Sequence, residues 1–211
     1  MLPLLVAVLG FGGFGHFNLS LRFPQISDLS DYLKNKGYGE LKGYFVSTGG
    51  SGYGVIKKVL IGGEGGSFIS ASVRNESLKR TARIDGSFGF FDIGYLLYSN
   101  KRFNFYGILG IGGGSINIML IIMLIEDYSG SFDSAFVSPP RAAKFSNGSY
   151  LIKASLQGDV SLYGLNVGLK VGYSHALGGG WKVGDREVSE GPRASAGGPF
   201  LSIIVGGGFL F

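Results

Sequence analysis

The 211 residues include 39 Gly, 17 Phe and 11 Tyr, with a net charge of +5 and only 16% charged residues. That many aromatics exclude a disordered chain, and glycine without a G-X-Y period excludes collagen. The absence of Cys excludes a disulfide framework and a thiolate metal site. The Lys and Arg are scattered, densest at Arg74, Lys79, Arg80 and Arg83, so no basic stripe invites nucleic acid.

Residues 1–9 are apolar and lack a basic n-region. They read either as the start of the first strand or as the remnant of a signal peptide. The stretch "GFGGFG" that follows fits G-x-G-x-x-G through Gly10, Gly12 and Gly15. A dinucleotide turn needs a helix next, so that a helix N-terminus faces the pyrophosphate. Here Phe17, Leu19, Leu21 and Phe23 alternate with Asn18, Ser20 and Arg22, which is a strand. "ISDLSDYLKNKG" then predicts one short helix, with Ser27 or Asp28 as N-cap and Gly37 past its end.

Segments of period two recur over residues 9–23, 42–55, 57–73, 80–98, 102–115, 149–163, 164–177 and 199–211. In the third, Val59, Ile61, Ile69, Ala71 and Val73 share one face against Glu64, Ser70 and Ser72. In the fourth, Ala82, Ile84, Phe88 and Phe90 oppose Arg83, Asp85 and Ser87. Then Phe91, Ile93, Tyr95 and Leu97 take over the apolar parity, a slip that predicts a bulge near Phe90–Asp92. "INIMLIIMLI", residues 116–125, is too short for a spanning helix, which needs about 20 residues. It reads as a strand buried on both faces, as a barrel extension, or as a hydrophobic loop base. In the sixth segment Ile152, Ala154 and Leu156 oppose Lys153, Gln157 and Asp159.

The odd connections are mostly long, at 24–41, 124–148 and 178–198, with 74–79 shorter but charged; the even ones are short, at 55–57, 99–101 and 163–164. Short turns on one rim and long loops on the other are the layout of a transmembrane barrel. The expected fold is all-β, one domain over 1–211: an antiparallel up-and-down transmembrane barrel of eight strands, with ten as the alternative. Large side chains then face lipid. The polar parity faces a narrow lumen and gathers His16, Glu64, Arg83, Asp85, Lys153, Gln157 and Asp159 as a mutually paired cluster. Glycine makes room for aromatics on neighbouring strands. Tyr95, Tyr98, Phe103 and Tyr106 bracket the "SNK" turn and, with Phe211, are candidates for an aromatic girdle.

A final amphipathic strand ending in Phe211 resembles the C-terminal signature of bacterial outer-membrane barrels, and the layout resembles the small OmpA-type class over nearly the whole chain. The resemblance implies a place in the bacterial outer membrane, lipid around the wall, and the barrel-assembly machinery engaging the strand that ends in Phe211. It implies no cofactor. The expected role is non-enzymatic: envelope structure, adhesion or ligand binding through the long loops, with an unidentified extracellular partner. One alternative is a lipid-modifying enzyme of acyl hydrolase or transferase type, with His175 as the candidate catalytic residue. Its neighbour Ser174 should point to the opposite face of the strand. The other alternative is a soluble lipocalin-like barrel with an apolar ligand inside.

Overall fold

Period-two alternation becomes nine strands and one helix in the computed structural model, which describes residues 11–100, 102–122, 141–188 and 191–210. In chain order these are β1 (Phe11–Arg22), α1 (Ser27–Asn35), β2 (Phe45–Ile56), β3 (Val59–Asn75), β4 (Arg80–Ser99) and β5 (Phe103–Ile122). Then come β6 (Arg141–Leu162), β7 (Leu165–Val183), β8 (Arg186–Val188) and β9 (Gly198–Leu210). Strands β1 to β7 pair in sequence, all antiparallel. β9 pairs with both β7 and β1, which closes a ring of eight. Across that seam the hydroxyls of Ser20 and Ser202 lie 2.7 Å apart. Among the described residues the short β8 pairs with the far end of β7, inside the last long connection. The β6–β7 link is a two-residue turn in which Tyr163 has φ 50° and Gly164 φ 90°, the double left-handed geometry that suits a twisted hairpin.

Strands β3 to β7 run 17 to 22 residues, whereas a bilayer needs about 9–11. The barrel is therefore taller than a membrane, and its two halves are built differently. Toward the short-turn end the outer wall carries exposed Ile61, Phe91, Ile93, Leu109, Leu156, Leu169 and Ile203. Toward the long-loop end it carries Ser70, Ser72, Arg83, Ser87 and Lys144. There the interior is an apolar core of Phe45, Phe68, Ile84, Phe88, Phe90, Ile116, Ile118 and Leu151, closed by Leu29 and Leu33 of α1.

This inversion corrects several expectations. Pairing of β4 with β3 and β5 runs without a shift through Phe90–Asp92, so the bulge expected there is absent. The apolar parity changes because the media on the two faces exchange, while the strand stays regular at that point; its register against β5 shifts later, between Leu96 and Tyr98. Ala82, Ile84, Phe88 and Phe90 consequently point inward, and Arg83 and Asp85 lie on the outer wall. Asn117, also outward, donates to Asp85 at 2.8 Å. A bulge does occur in β3 between Phe68 and Ala71. It turns Ala71 and Val73 onto the inner core, away from the face of Val59 and Ile61. β5 and β6 extend the wall to Ile122 and from Arg141, so the described part of the 116–125 run is a barrel extension.

Glycine acts as expected inside the ring. A Cβ on Gly86 would lie 2.5 Å from the Phe68 ring, and one on Gly66 2.9 Å from Phe88. Helix α1 starts differently from expectation. Ile26, buried in the core, holds the N-cap position without a side-chain cap; burial of its side chain takes precedence over the cap that Ser27 or Asp28 would supply. Its end is as the sequence indicated. Gly37 has φ 78°, and N–H groups of Gly37 and Tyr38 donate to Lys34 and Leu33 carbonyls, the Schellman arrangement. Residues 1–9 and Phe211 lie outside the described residues.

Candidate functional site

The lumen places its charges between two apolar layers. The layer toward the short-turn end packs Phe14, Tyr53, Val55, Leu60, Leu96, Tyr106 and Ile108, with the Phe14 ring centroid 5.3 Å from Tyr53 and 5.4 Å from Tyr106. The other is the core beneath α1. Between them, the Lys153 ammonium sits 2.6 Å from Glu64 Oε1 and 2.9 Å from the Asp92 carboxylate. Lys170 Nζ donates to Glu64 Oε2 at 2.6 Å and to the Tyr53 hydroxyl at 3.2 Å. Tyr53 in turn donates to Asp92 Oδ2 at 2.8 Å. Two ammonium groups thus meet two carboxylates, all almost wholly shielded from solvent. Paired charges are the form in which a buried layer of this kind is tolerated.

Of the residues expected in the cluster, Glu64 and Lys153 are at its centre. His16 is buried nearby, against Phe14 at 5.0 Å between ring centroids. Gln157 and Asp159 form a separate polar group. Asn104 donates to Asp159 at 3.1 Å and Gln157 donates to it at 3.3 Å. Arg83 and Asp85 do not contribute. Asp92, Lys170 and Tyr53 were missed. Lys170 stood on the polar parity of β7, and Asp92 becomes an inward residue once β4 is read without a slip; Tyr53 gave no signal. Arg22, on the polar parity of β1, is buried with its guanidinium 3.5 Å from the Phe88 ring centroid and 4.7 Å from that of Phe200. It joins the charge layer to the apolar core.

The expected girdle is divided. Tyr95, Tyr98 and Phe103 are exposed on the outer wall, where amphipathic rings suit a head-group boundary. Tyr106 is 1% exposed and belongs to the lumen, because its parity on β5 is that of Asn104 and Ile108. Toward the other end, Phe23, Tyr44 and Tyr173 are exposed aromatics outside the expected girdle. Phe23 and Tyr44 pack at 6.5 Å, and Gln25 donates to the Tyr173 hydroxyl at 3.1 Å.

His175 is exposed on the outer wall opposite Ile152. Ser174 points inward and donates to the Gly198 carbonyl at 3.2 Å. The two cannot act as nucleophile and base.

Above the closed lumen, the long-loop end holds cavities. One, of about 390 Å³, is lined by Asn147 of β6, Gly178–Trp181 of β7, and Arg193 and Ser195 of the last connection. Another, of about 190 Å³, lies between α1 and Trp181.

An apolar outer wall, paired charges within and eight closed antiparallel strands define a membrane-spanning β-barrel of the bacterial outer-membrane class. A solved structure agrees with that assignment of fold. The crystal structure of Ail, the attachment invasion locus protein of Yersinia pestis, in complex with the heparin analogue sucrose octasulfate, is similar with a TM-score of 0.51 at 10% identity, over 95% of this chain and 99% of that one. The outer membrane protease OmpT from Escherichia coli gives a TM-score of 0.44 at 9% identity, over 96% and 97%. No family model matches the chain, and no curated protein matches it by sequence.

Proposed function

We propose that this protein is a non-enzymatic outer-membrane barrel that acts by binding an extracellular ligand at its long-loop end. The observation that carries this reading is the closed interior. Glu64, Asp92, Lys153 and Lys170 neutralise one another between two apolar layers, and α1 covers the upper one. Solute transport then has no path, and the outer end is the surface offered to the surroundings. Support of a second kind comes from Ail, whose structure contains a bound heparin analogue. Lipid of the outer membrane surrounds the wall, and β9, with Leu201, Ile203 and Val205 outward, is the strand through which the assembly machinery engages the barrel.

The test uses the full chain refolded into nanodiscs. It is recorded in planar bilayers and presented to an array of extracellular polysaccharides and matrix proteins. Absence of step conductance with saturable capture of at least one polymer is expected. A sustained open channel, or no capture at all, would overturn the reading.

A further inference from the structure

The β6–β7 ladder opens near its outer end. Gly148 pairs with Gly180 and Tyr150 with Leu177, so Ser149 faces two unpaired residues, Gly178 and Gly179. Their φ angles are 69° and 134°, values that favour glycine. Two cavities, of about 390 and 420 Å³, share these glycines as walls. Asn147 lines the first and is only 6% exposed. Its Oδ1 lies beside Gly179 and has no hydrogen-bond partner among the described residues. Ser149 Oγ, lining the second, is also unmatched among them. Folded proteins satisfy nearly all such buried atoms. Two oxygens without a partner among the described residues, side by side at one glycine break and facing cavities, present acceptors to a ligand that brings its own donors.

The surroundings define that donor. Ser195 closes one side of the first cavity, tied to Gln25 at 3.4 Å. Trp181 is held by its indole N–H on the Pro192 carbonyl at 2.7 Å. Arg193 is the one charged liner among the described residues. Hydroxyl donors for Asn147 and Ser149, a small compact pocket and a guanidinium at its edge fit a sugar ring bearing an acidic group. A peptide would instead need a strand edge or an extended groove.

We infer that the β7 break is a binding site for an acidic saccharide unit, resting on the reading of the outer end as ligand-binding. The same chemistry is carried by acidic sugars of the outer leaflet's own lipopolysaccharide and by extracellular acidic glycans.

Trp181 is the single tryptophan of the chain and a wall of the site, so its fluorescence reports occupancy directly. The full chain, refolded in detergent and checked for heat-modifiable migration, is titrated with core oligosaccharide from lipopolysaccharide, with a sulfated uronic-acid disaccharide and with an acidic tripeptide. A saturable change with at least one saccharide is expected, weakened at least tenfold in N147A and in R193A but not in K42A. Response to the first probe alone assigns the source to the protein's own leaflet, and to the second alone to an external glycan. No response to either saccharide, equal response in folded N147A, or response to the tripeptide alone would overturn the site. The polymer array separates the two readings. Capture that N147A leaves intact removes this pocket but keeps a binding outer end; no capture removes both.

Discussion

Strand β4 passes through two environments without interruption. From Arg80 to Gly89 its outward residues are polar and its inward ones, Ala82, Ile84 and Phe88, are buried and apolar. From Phe91 onward, Phe91, Ile93 and Tyr95 are exposed and apolar while inward Asp92 joins two lysines and a glutamate through the buried network. The outer half is built as a soluble barrel is, with its apolar side chains inside. The membrane half is built in reverse, because lipid accepts apolar side chains and the narrow lumen lets charges find one another. One backbone serves both, and only the side-chain chemistry exchanges sides. Lysine at an inward position is thus a structural residue in one half and would be a defect in the other.

Three substitutions sharpen this contrast. The largest effect is expected for K153M. It leaves Glu64 and Asp92 buried with one cation fewer, a change that costs about 3–5 kcal/mol where a buried pair loses a partner. Urea unfolding of the refolded barrel should show it as a clear fall in midpoint; an unchanged midpoint would mean the network contributes nothing to the membrane half. The second comparison sets I93R against R83I, both outward on β4. An arginine on the lipid face costs about 2–4 kcal/mol near mid-bilayer, whereas R83I on the outer half should stay within about 0.5 kcal/mol. Equal losses measured in vesicles would place both positions in the same medium.

The smallest effect belongs to the exposed pair Lys34–Glu40 at 2.8 Å. The hydrogen bond and charge of Lys34 hold the Glu40 carboxyl below its ordinary value. Any stability it lends is present above the usual carboxylate range and is lost as pH falls through the lowered value. Fully exposed pairs contribute little, so E40Q should shift the thermal midpoint immeasurably between neutral and acid pH. A distinct deficit of E40Q at neutral pH that vanishes in acid would show that α1 is held in place by this pair more than by Leu29 and Leu33.

The candidate site was legible where one residue sufficed and illegible where two strands had to meet. Glu64 and Lys153 stood on the polar parity of long strands, and their lumen position followed from the membrane reading. Arg83 and Asp85 had the same kind of signal yet lie outside, because parity names a face and not the medium that face meets. Nearness to the turn suggests an interfacial ring for Tyr106, although its register with Asn104 and Ile108 directs it inward. Asn147 and Ser149 could not be connected with Gly178 and Gly179 at all. The break that joins them exists only in the register between β6 and β7.

The sequence by itself determined the eight strands of the ring, the short turns on one rim, the helix ending at Gly37 and the apolar wall of the membrane half. These follow from local periodicity, turn chemistry and the ordinary behaviour of apolar side chains. Tertiary structure decided the exchange of faces along β4, the pairing of Lys170 and Asp92 with the charge layer, the inward turn of Ala71 and Val73, and the opening at β7. Each of these depends on register and strand height relative to the bilayer, and those quantities arise only when eight strands close on one another.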